Sequence, residues 1–300
     1  PLGGRYSPTG EQQDFIRTVA EMEGVKESYV AAYAGSSDPL FRSSCAFTSP
    51  TRSWTMADPG YGSGAAQFIG AKTVKIPLAK DFSHDVEAMF KADPNAGAYY
   101  VCNPNNPSGT LTSREKIDFL LANKKKDAVV IVDEAYIHFS ENAKPASDLV
   151  AADKDVIVLR TFSKVYGMAG IRAGFALGRP DLLEKLRPFG GGMLPITGLA
   201  CATASMKAKG LIAERRAINK KIRDTTFTFL EKKKIKFVPS ETNFFMMETN
   251  KPGAEVAKAY AAKKIMIGRV WPAWPTHVRV TVGTQEEMDK FMAATAEIFV

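Results

Sequence analysis

Hydrophobic residues along this chain come in two textures. Short runs rich in β-branched and aromatic residues recur at residues 29–33, 54–57, 73–76, 98–102, 128–132, 156–159 and 174–177. Several are apolar at every position, which marks strands buried on both faces, as in a parallel sheet covered by helices. Between them lie stretches with helical spacing. Residues 11–23 place Phe15, Ile16, Val19 and Met22 toward a core, and residues 113–123 do so with Ile117, Phe119, Leu120 and Leu121. This alternation predicts an α/β domain with a mainly parallel sheet.

Beyond about Ala204 the texture changes. A long charged helix is expected over residues 211–233, followed by strands near 237–239 and 243–247. A helix at 254–263, strands at 265–268 and 277–282, and a last helix from Gln285 complete the chain. Few strands with many helices predict a smaller α+β domain, so the division expected is 1–205 for a large domain and 206–300 for a small one.

Composition bounds the function. With 300 residues and 45% hydrophobic content the chain can fill two cores. The formal charge of +8 raises the question of an anionic partner. The lysines sit in short runs, Lys124–Lys125–Lys126 and Lys232–Lys233–Lys234, near the ends of helix-like segments and without interleaved aromatics. That pattern reads as solvated helix ends, so small-molecule partners are expected and nucleic acid is not. Cys45, Cys102 and Cys201 have neither metal spacing nor a pairing pattern, which suits a reducing compartment. No stretch is apolar enough to span a membrane and no signal peptide is visible, so the expected location is cytoplasmic. The chain opens at Pro1–Leu2–Gly3–Gly4 without a methionine and reads as cut from something longer, with which a targeting signal would have been lost.

Four segments put polar residues just after apolar runs, where open α/β sheets hold ligands. In Thr161–Phe162–Ser163–Lys164 two hydroxyls flank a lysine, and Arg172 adds a guanidinium, a set suited to a phosphate. A lone lysine would be a surface cation, but a partly desolvated one beside other cations has the depressed pKa of a Schiff-base nucleophile. The run Val129–Val132 delivers Asp133 to a strand end, where a buried carboxylate needs a cation or donor; a protonated pyridine nitrogen would serve, and a helix cap is the bland alternative. Cys102–Thr110, with its Asn, Pro, Ser and Gly, reads by itself as a rigid turn. Ala34–Gly35–Ser36–Ser37–Asp38 either opens a helix toward an anion or merely caps it. Gly60–Tyr61–Gly62–Ser63–Gly64–Ala65 loosely fits a dinucleotide fingerprint, but it ends in Ala and follows a proline.

In this order the segments resemble the aminotransferases of pyridoxal-phosphate (PLP) fold type I, class I/II, and most of all the histidinol-phosphate aminotransferase branch. The resemblance rests on Asn105–Asn106–Pro107–Ser108–Gly109, Asp133–Glu134–Ala135–Tyr136, Ser163–Lys164 with Gly170–Ile171–Arg172, and Arg279–Val280–Thr281–Val282–Gly283. It implies an aspartate-aminotransferase-like large domain and a PLP-dependent transfer of an amino group between an L-amino acid and a 2-oxo acid. By that resemblance Lys164 carries the cofactor as a Schiff base and shuttles the proton at the substrate Cα. Asp133 keeps the pyridine nitrogen protonated, and Asn106 and Tyr136 bond the phenolic oxygen. Tyr61 stacks on the ring, displacing the dinucleotide reading. Ser36, Ser37, Thr161, Ser163 and Arg172 hold the phosphate, and Arg279 grips the substrate carboxylate. Arg5–Tyr6 resembles a pair whose tyrosine reaches the neighbouring subunit's phosphate site, which implies a homodimer with shared active sites.

The chain also departs from that branch. It starts after the arm that precedes the Arg5–Tyr6 pair, His138 replaces an acidic residue, and Arg269–Val270–Trp271–Pro272–Ala273–Trp274–Pro275 is unusually aromatic. This last segment is expected to line the substrate pocket, so the donor is either histidinol-phosphate-like or aromatic and apolar. A decarboxylase or lyase on the same scaffold, and a non-catalytic ligand-sensing domain, stay open as alternatives.

Overall fold

The computed structural model describes residues 10–62 and 64–299. Seven of the apolar runs form one sheet from β1 (Val30–Tyr33), β2 (Trp54–Asp58), β3 (Thr73–Pro77), β4 (Ala98–Cys102), β5 (Val129–Asp133), β6 (Val156–Thr161) and β7 (Gly174–Leu177). Their order is β1-β7-β6-β5-β4-β2-β3. From β3 through β2, β4 and β5 to β6 the pairing is parallel, while β7 is antiparallel to both its neighbours, β6 and β1, so that β7 alone runs against the rest. The reversal at β7 follows from its connection, which returns through a loop and one short 3₁₀ turn (Ala169–Ile171) in place of a crossover helix.

The central strands are buried throughout, and successive side chains enter opposite cores with a period of two. On β5, Val130 and Val132 belong to the core under α1 (Gly10–Glu23), α3 (Val86–Ala92), α4 (Arg114–Asn123), α5 (Ser147–Ala151) and α7 (Ile196–Lys207). Val129 and Ile131 face the opposite core, under α2 (Ser37–Phe47) and α6 (Pro180–Glu184). Both faces are covered, as the continuous apolar runs require. In α1, Phe15 and Val19 are buried as expected and Ile16 packs against them, but Met22 is exposed. The last turn of that helix instead brings Glu23 inward to Arg160.

A second, antiparallel sheet joins β8 (Phe237–Val238), β9 (Phe244–Glu248) and β10 (His277–Thr281) in the order β10-β9-β8. Its core is shared with α8 (Leu211–Lys232), α9 (Gly253–Ala262) and α10 (Gln285–Ile298). The expected strand at 265–268 does not form. Lys264 at φ 61° and Arg269 at φ 40° break the extended run at both ends, leaving a single bridge between Gly268 and Arg279. Among the described residues no helix is long and apolar enough to cross a membrane.

The sheet order places a switch point between β2 and β4. The chain leaves β2 toward β3 on one side, then returns to β4 on the other, so the loops after β2 and β4 diverge and open a crevice at the carboxyl ends.

Candidate active site

That crevice holds a cavity of about 250 Å³. Its lining brings together Ser36, Ser37, Tyr61, Asn106, Asp133 and Tyr136 with Thr161, Ser163, Lys164, Arg172 and Arg279, which lie up to 243 positions apart in sequence. Every site residue expected from the sequence is therefore in this one cavity except Tyr6, which lies outside the described residues. Cys102, Ala135, Ala169 and Arg269 complete the wall.

At one end, α2 begins at Ser37, with Ser36 in the position before it. Ser36 and Ser37 line the same cavity as Thr161 and Ser163, which bond each other at 2.9 Å. Arg172 closes this end, donating to Ser163 Oγ at 3.3 Å, to Ala169 O at 2.8 Å and to Ala34 O at 2.9 Å. The approach depends on Gly35. At φ 94° it takes a left-handed conformation, and a Cβ there would lie 2.4 Å from the Arg172 guanidinium. A helix N-terminus, three serine hydroxyls, a threonine and a guanidinium form an anion cradle of the kind phosphates occupy.

At the floor, Asp133 is 2% exposed. It accepts from the Tyr100 hydroxyl at 2.9 Å and from Ala135 N at 3.1 Å. Among the described residues no cation lies within ion-pair distance of it. Burial pushes its carboxyl up to about 6, against the opposing pull of those two hydrogen bonds and of Lys164. A buried carboxylate facing a cavity without a cation of its own is matched by a ligand that brings one, such as a pyridinium nitrogen.

Lys164 is half-buried, with its ammonium 5.2 Å from the centre of the Tyr136 ring. Burial holds its pKa below the usual lysine value, and Arg279 and Arg269 push the same way against Asp133. A neutral amine is the form that attacks an aldehyde. Opposite, Arg279 of β10 donates to Asn106 Oδ1 at 2.9 Å, and its guanidinium lies 5.0 Å from the Phe244 ring and 5.8 Å from that of Trp271. Its Nε is a buried donor without a partner. A guanidinium with an unused donor is prepared for the two-point contact of a carboxylate.

Cradle, buried acid and depressed lysine fit PLP in charge and in chemistry. Two residues with evident roles escaped the sequence reading. Tyr100 carried a signal, because of the two hydroxyls in the run Ala98–Cys102 it is the one that shares the face of Asp133 by strand alternation. Arg269 carried little, since the left-handed turn that directs it inward is not written in its neighbours. His138 lies outside the cavity, half-buried between Arg160 and Tyr166. Trp274 is also elsewhere, packed on Phe82 and His277 in a neighbouring cavity.

Comparison with known proteins agrees with this chemistry. The family model described as aminotransferase class I and II matches residues 4–294. A histidinol-phosphate aminotransferase of Moorella thermoacetica is 30% identical over 97% of this chain and 77% of its own length. A crystal structure from Erwinia carotovora atroseptica, provisionally described as a histidinol-phosphate aminotransferase, superposes with a TM-score of 0.93 at 27% identity, covering 98% of this chain and 88% of that one. The Sinorhizobium meliloti histidinol-phosphate aminotransferase, solved in complex with pyridoxal-5'-phosphate, shares the fold with a TM-score of 0.87 at 23% identity, over 99% of this chain and 83% of its own. These matches favour transamination over the decarboxylase and ligand-sensor alternatives. The chain belongs to the class I and II aminotransferases, and it is a pyridoxal-phosphate-dependent enzyme that moves amino groups between amino acids and oxo acids.

Proposed function

We propose that the 250 Å³ cavity is the site of transamination, with Lys164 as its covalent and proton-transferring residue. The carrying observation is the pairing, in one cavity, of a lysine with a depressed pKa and a fully buried carboxylate that lacks a cation. Bound there, PLP supplies a ring that accepts electron density from the substrate Cα. Asp133 would hold the ring nitrogen. Asn106 and Tyr136 would hold the phenolic oxygen, the Tyr136 ring itself being fixed edge-on against Phe244 at 4.9 Å. Tyr61 would stack on the ring, and Ser36, Ser37, Thr161, Ser163 and Arg172 would hold the phosphate. Lys164 would bind the cofactor aldehyde and would take the proton from the substrate Cα and return it on the other side of the reaction.

The donor we infer is histidinol-phosphate-like, carrying an anionic group of its own. Arg279 and Arg269 both line the cavity, and Asp133 is the single carboxylate among its lining residues. One guanidinium binds one anionic group of the reactants and leaves the second for another. An aromatic donor is the second reading, favoured by Trp271, whose ring stands beside Arg279.

We read residues 1–205 as the cofactor domain and 206–300 as the small domain that brings Arg269 and Arg279 to it, supported by their separate cores. The exposed thiol of Cys201 suits a reducing, cytoplasmic setting, which cell fractionation would check.

Absorption spectra of the PLP-treated protein test the assignment. A visible band from the lysine-linked cofactor is expected in wild type, absent in Lys164→Ala, and bleached by histidinol phosphate more readily than by phenylalanine. A wild-type protein with no such band would sink the reading. A homodimer sharing Tyr6 across subunits predicts that Lys164→Ala and Tyr6→Phe, each impaired alone, regain activity when mixed and refolded together. No recovery would place each site within one subunit.

A further inference from the structure

Tyr100 lies on β4, one strand over from Asp133, and the β4–β5 register pairs it with Ile131, which shares the face of Asp133. It is 1% exposed and its ring stacks on the fully buried Trp54, with centroids 5.4 Å apart and planes 28° apart. A phenylalanine would fill this space. A buried hydroxyl is costly unless it is paired, and here its acceptor is Asp133 Oδ2 at 2.9 Å. Ala135 N holds the other oxygen. The groups around the carboxylate are thus Tyr100 and Cys102 from β4, Ala135 and Tyr136 from the following turn, and Lys164 from the loop after β6. Burial keeps the Tyr100 phenol well above its ordinary pKa, so it remains a donor at every working pH.

We propose that Tyr100 is a positioning residue for the cofactor: its hydrogen bond fixes the plane of the Asp133 carboxylate and keeps that carboxylate a weak enough base for their shared proton to stay on the ring nitrogen. The inference rests on Asp133 being the partner of that nitrogen. A donor to a carboxylate stabilises its anionic form and lowers its proton affinity. Without the phenol, Asp133 is the stronger base and draws the proton from the nitrogen to its own oxygen, leaving the ring neutral and a poorer electron acceptor. No other bond is made or broken.

The test uses the full chain loaded with PLP labelled with nitrogen-15 at the ring. In wild type the nitrogen signal is expected at the protonated position. In Tyr100→Phe it moves toward the unprotonated one, and the pH midpoint of the lysine-linked absorption band shifts by about one unit. The value of kcat falls about tenfold while KM for the amino donor stays within twofold. Fluorotyrosine placed at position 100 keeps the shape with a more acidic phenol, so it folds even where phenylalanine does not, and it moves the nitrogen signal the opposite way. A protonated wild-type signal that neither variant moves overturns the role of Tyr100 alone. An unprotonated signal in wild type overturns the reading of Asp133, and this inference with it.

Discussion

Asp133 and Glu134 are consecutive residues, both carboxylic acids, 2% and 1% exposed, at the end of the same strand. Alternation sends them to opposite sides of the sheet, and the two sides treat them differently. Glu134 accepts from Arg160 Nε at 2.7 Å and from Ala146 N at 2.8 Å. Arg160 is shared in turn with Glu23 at 2.9 Å, which ties α1 to β6. Burial pushes the Glu134 carboxyl up, and Arg160 opposes it. On the cavity side Asp133 has two neutral donors and no ion pair. A structural charge is compensated within the protein; a functional one is left for the ligand to compensate. The distinction is therefore not burial but what faces the charge.

Neutralising each residue in turn sharpens this contrast. Asp133→Asn is expected to fold normally and to lose about 10²–10³-fold in kcat, because the ring nitrogen loses its counter-charge. Glu134→Gln leaves Arg160 with Glu23 alone and is expected to cost about 3 kcal/mol of stability. At a temperature where it remains folded, its kcat should stay within a few-fold of wild type. Urea unfolding and steady-state kinetics on both proteins check this. If Glu134→Gln lost activity while keeping its stability, the two faces would not be separable.

The pH dependence of the cofactor-free protein is a second, smaller effect. Burial raises the Asp133 carboxyl to about 6 in the folded chain, above the ordinary aspartate value of about 3.9. Because the folded value is the higher, the folded state binds the proton more tightly and this group costs stability as pH rises between the two values. The cost is complete above pH 6 and amounts to about 3 kcal/mol by the size of the shift. Asp133→Asn should thus unfold at higher urea than wild type at pH 7.5, with the advantage gone below pH 4. Adding PLP should remove the gap by stabilising wild type. An advantage that persisted unchanged at pH 4 would mean that the carboxylate is not the cause.

Much of this was legible in the sequence, for reasons that differ by region. The strands could be read because each is buried on both faces, so hydrophobicity marks nearly every position of β4, β5 and β6. The cofactor end of the site could be read for the same cause, since Asp133 and Thr161 stand where an apolar run stops. The antiparallel return of β7 was not legible, because pairing direction depends on the path of the loop. Nor was the failed strand at 265–268, whose residues are apolar enough but whose flanks take left-handed conformations. Tyr61, Asn106 and Arg279 were found through resemblance to a family more than through pattern. Their neighbourhood is made by loops whose geometry no periodicity describes.

The substrate end supplies the last contrast, between two tryptophans three residues apart. Both were expected to line the substrate pocket. Trp271 is not among the residues lining the cavity but stands behind Arg279, which is, donating from Nε1 to Gly60 O at 3.4 Å with the Arg279 guanidinium 5.8 Å from its ring. Trp274 instead packs edge-on against Phe82 at 5.6 Å and lines a separate cavity of about 310 Å³ with Asp58 and Lys75. Trp271→Ala removes one of two aromatic faces that orient Arg279, while Phe244 remains 5.0 Å away on β9. Losing a cation–π contact of roughly 1 kcal/mol is expected to raise KM for the amino donor about five-fold with little change in kcat. Trp274→Ala should leave KM within twofold, for it touches neither Arg279 nor the cavity. Donor panels run on both variants decide the matter. If Trp274→Ala altered the order of preferred donors as strongly as Trp271→Ala, the substrate would have to extend past Gly60 into the second cavity, and a donor longer than the first cavity holds would follow.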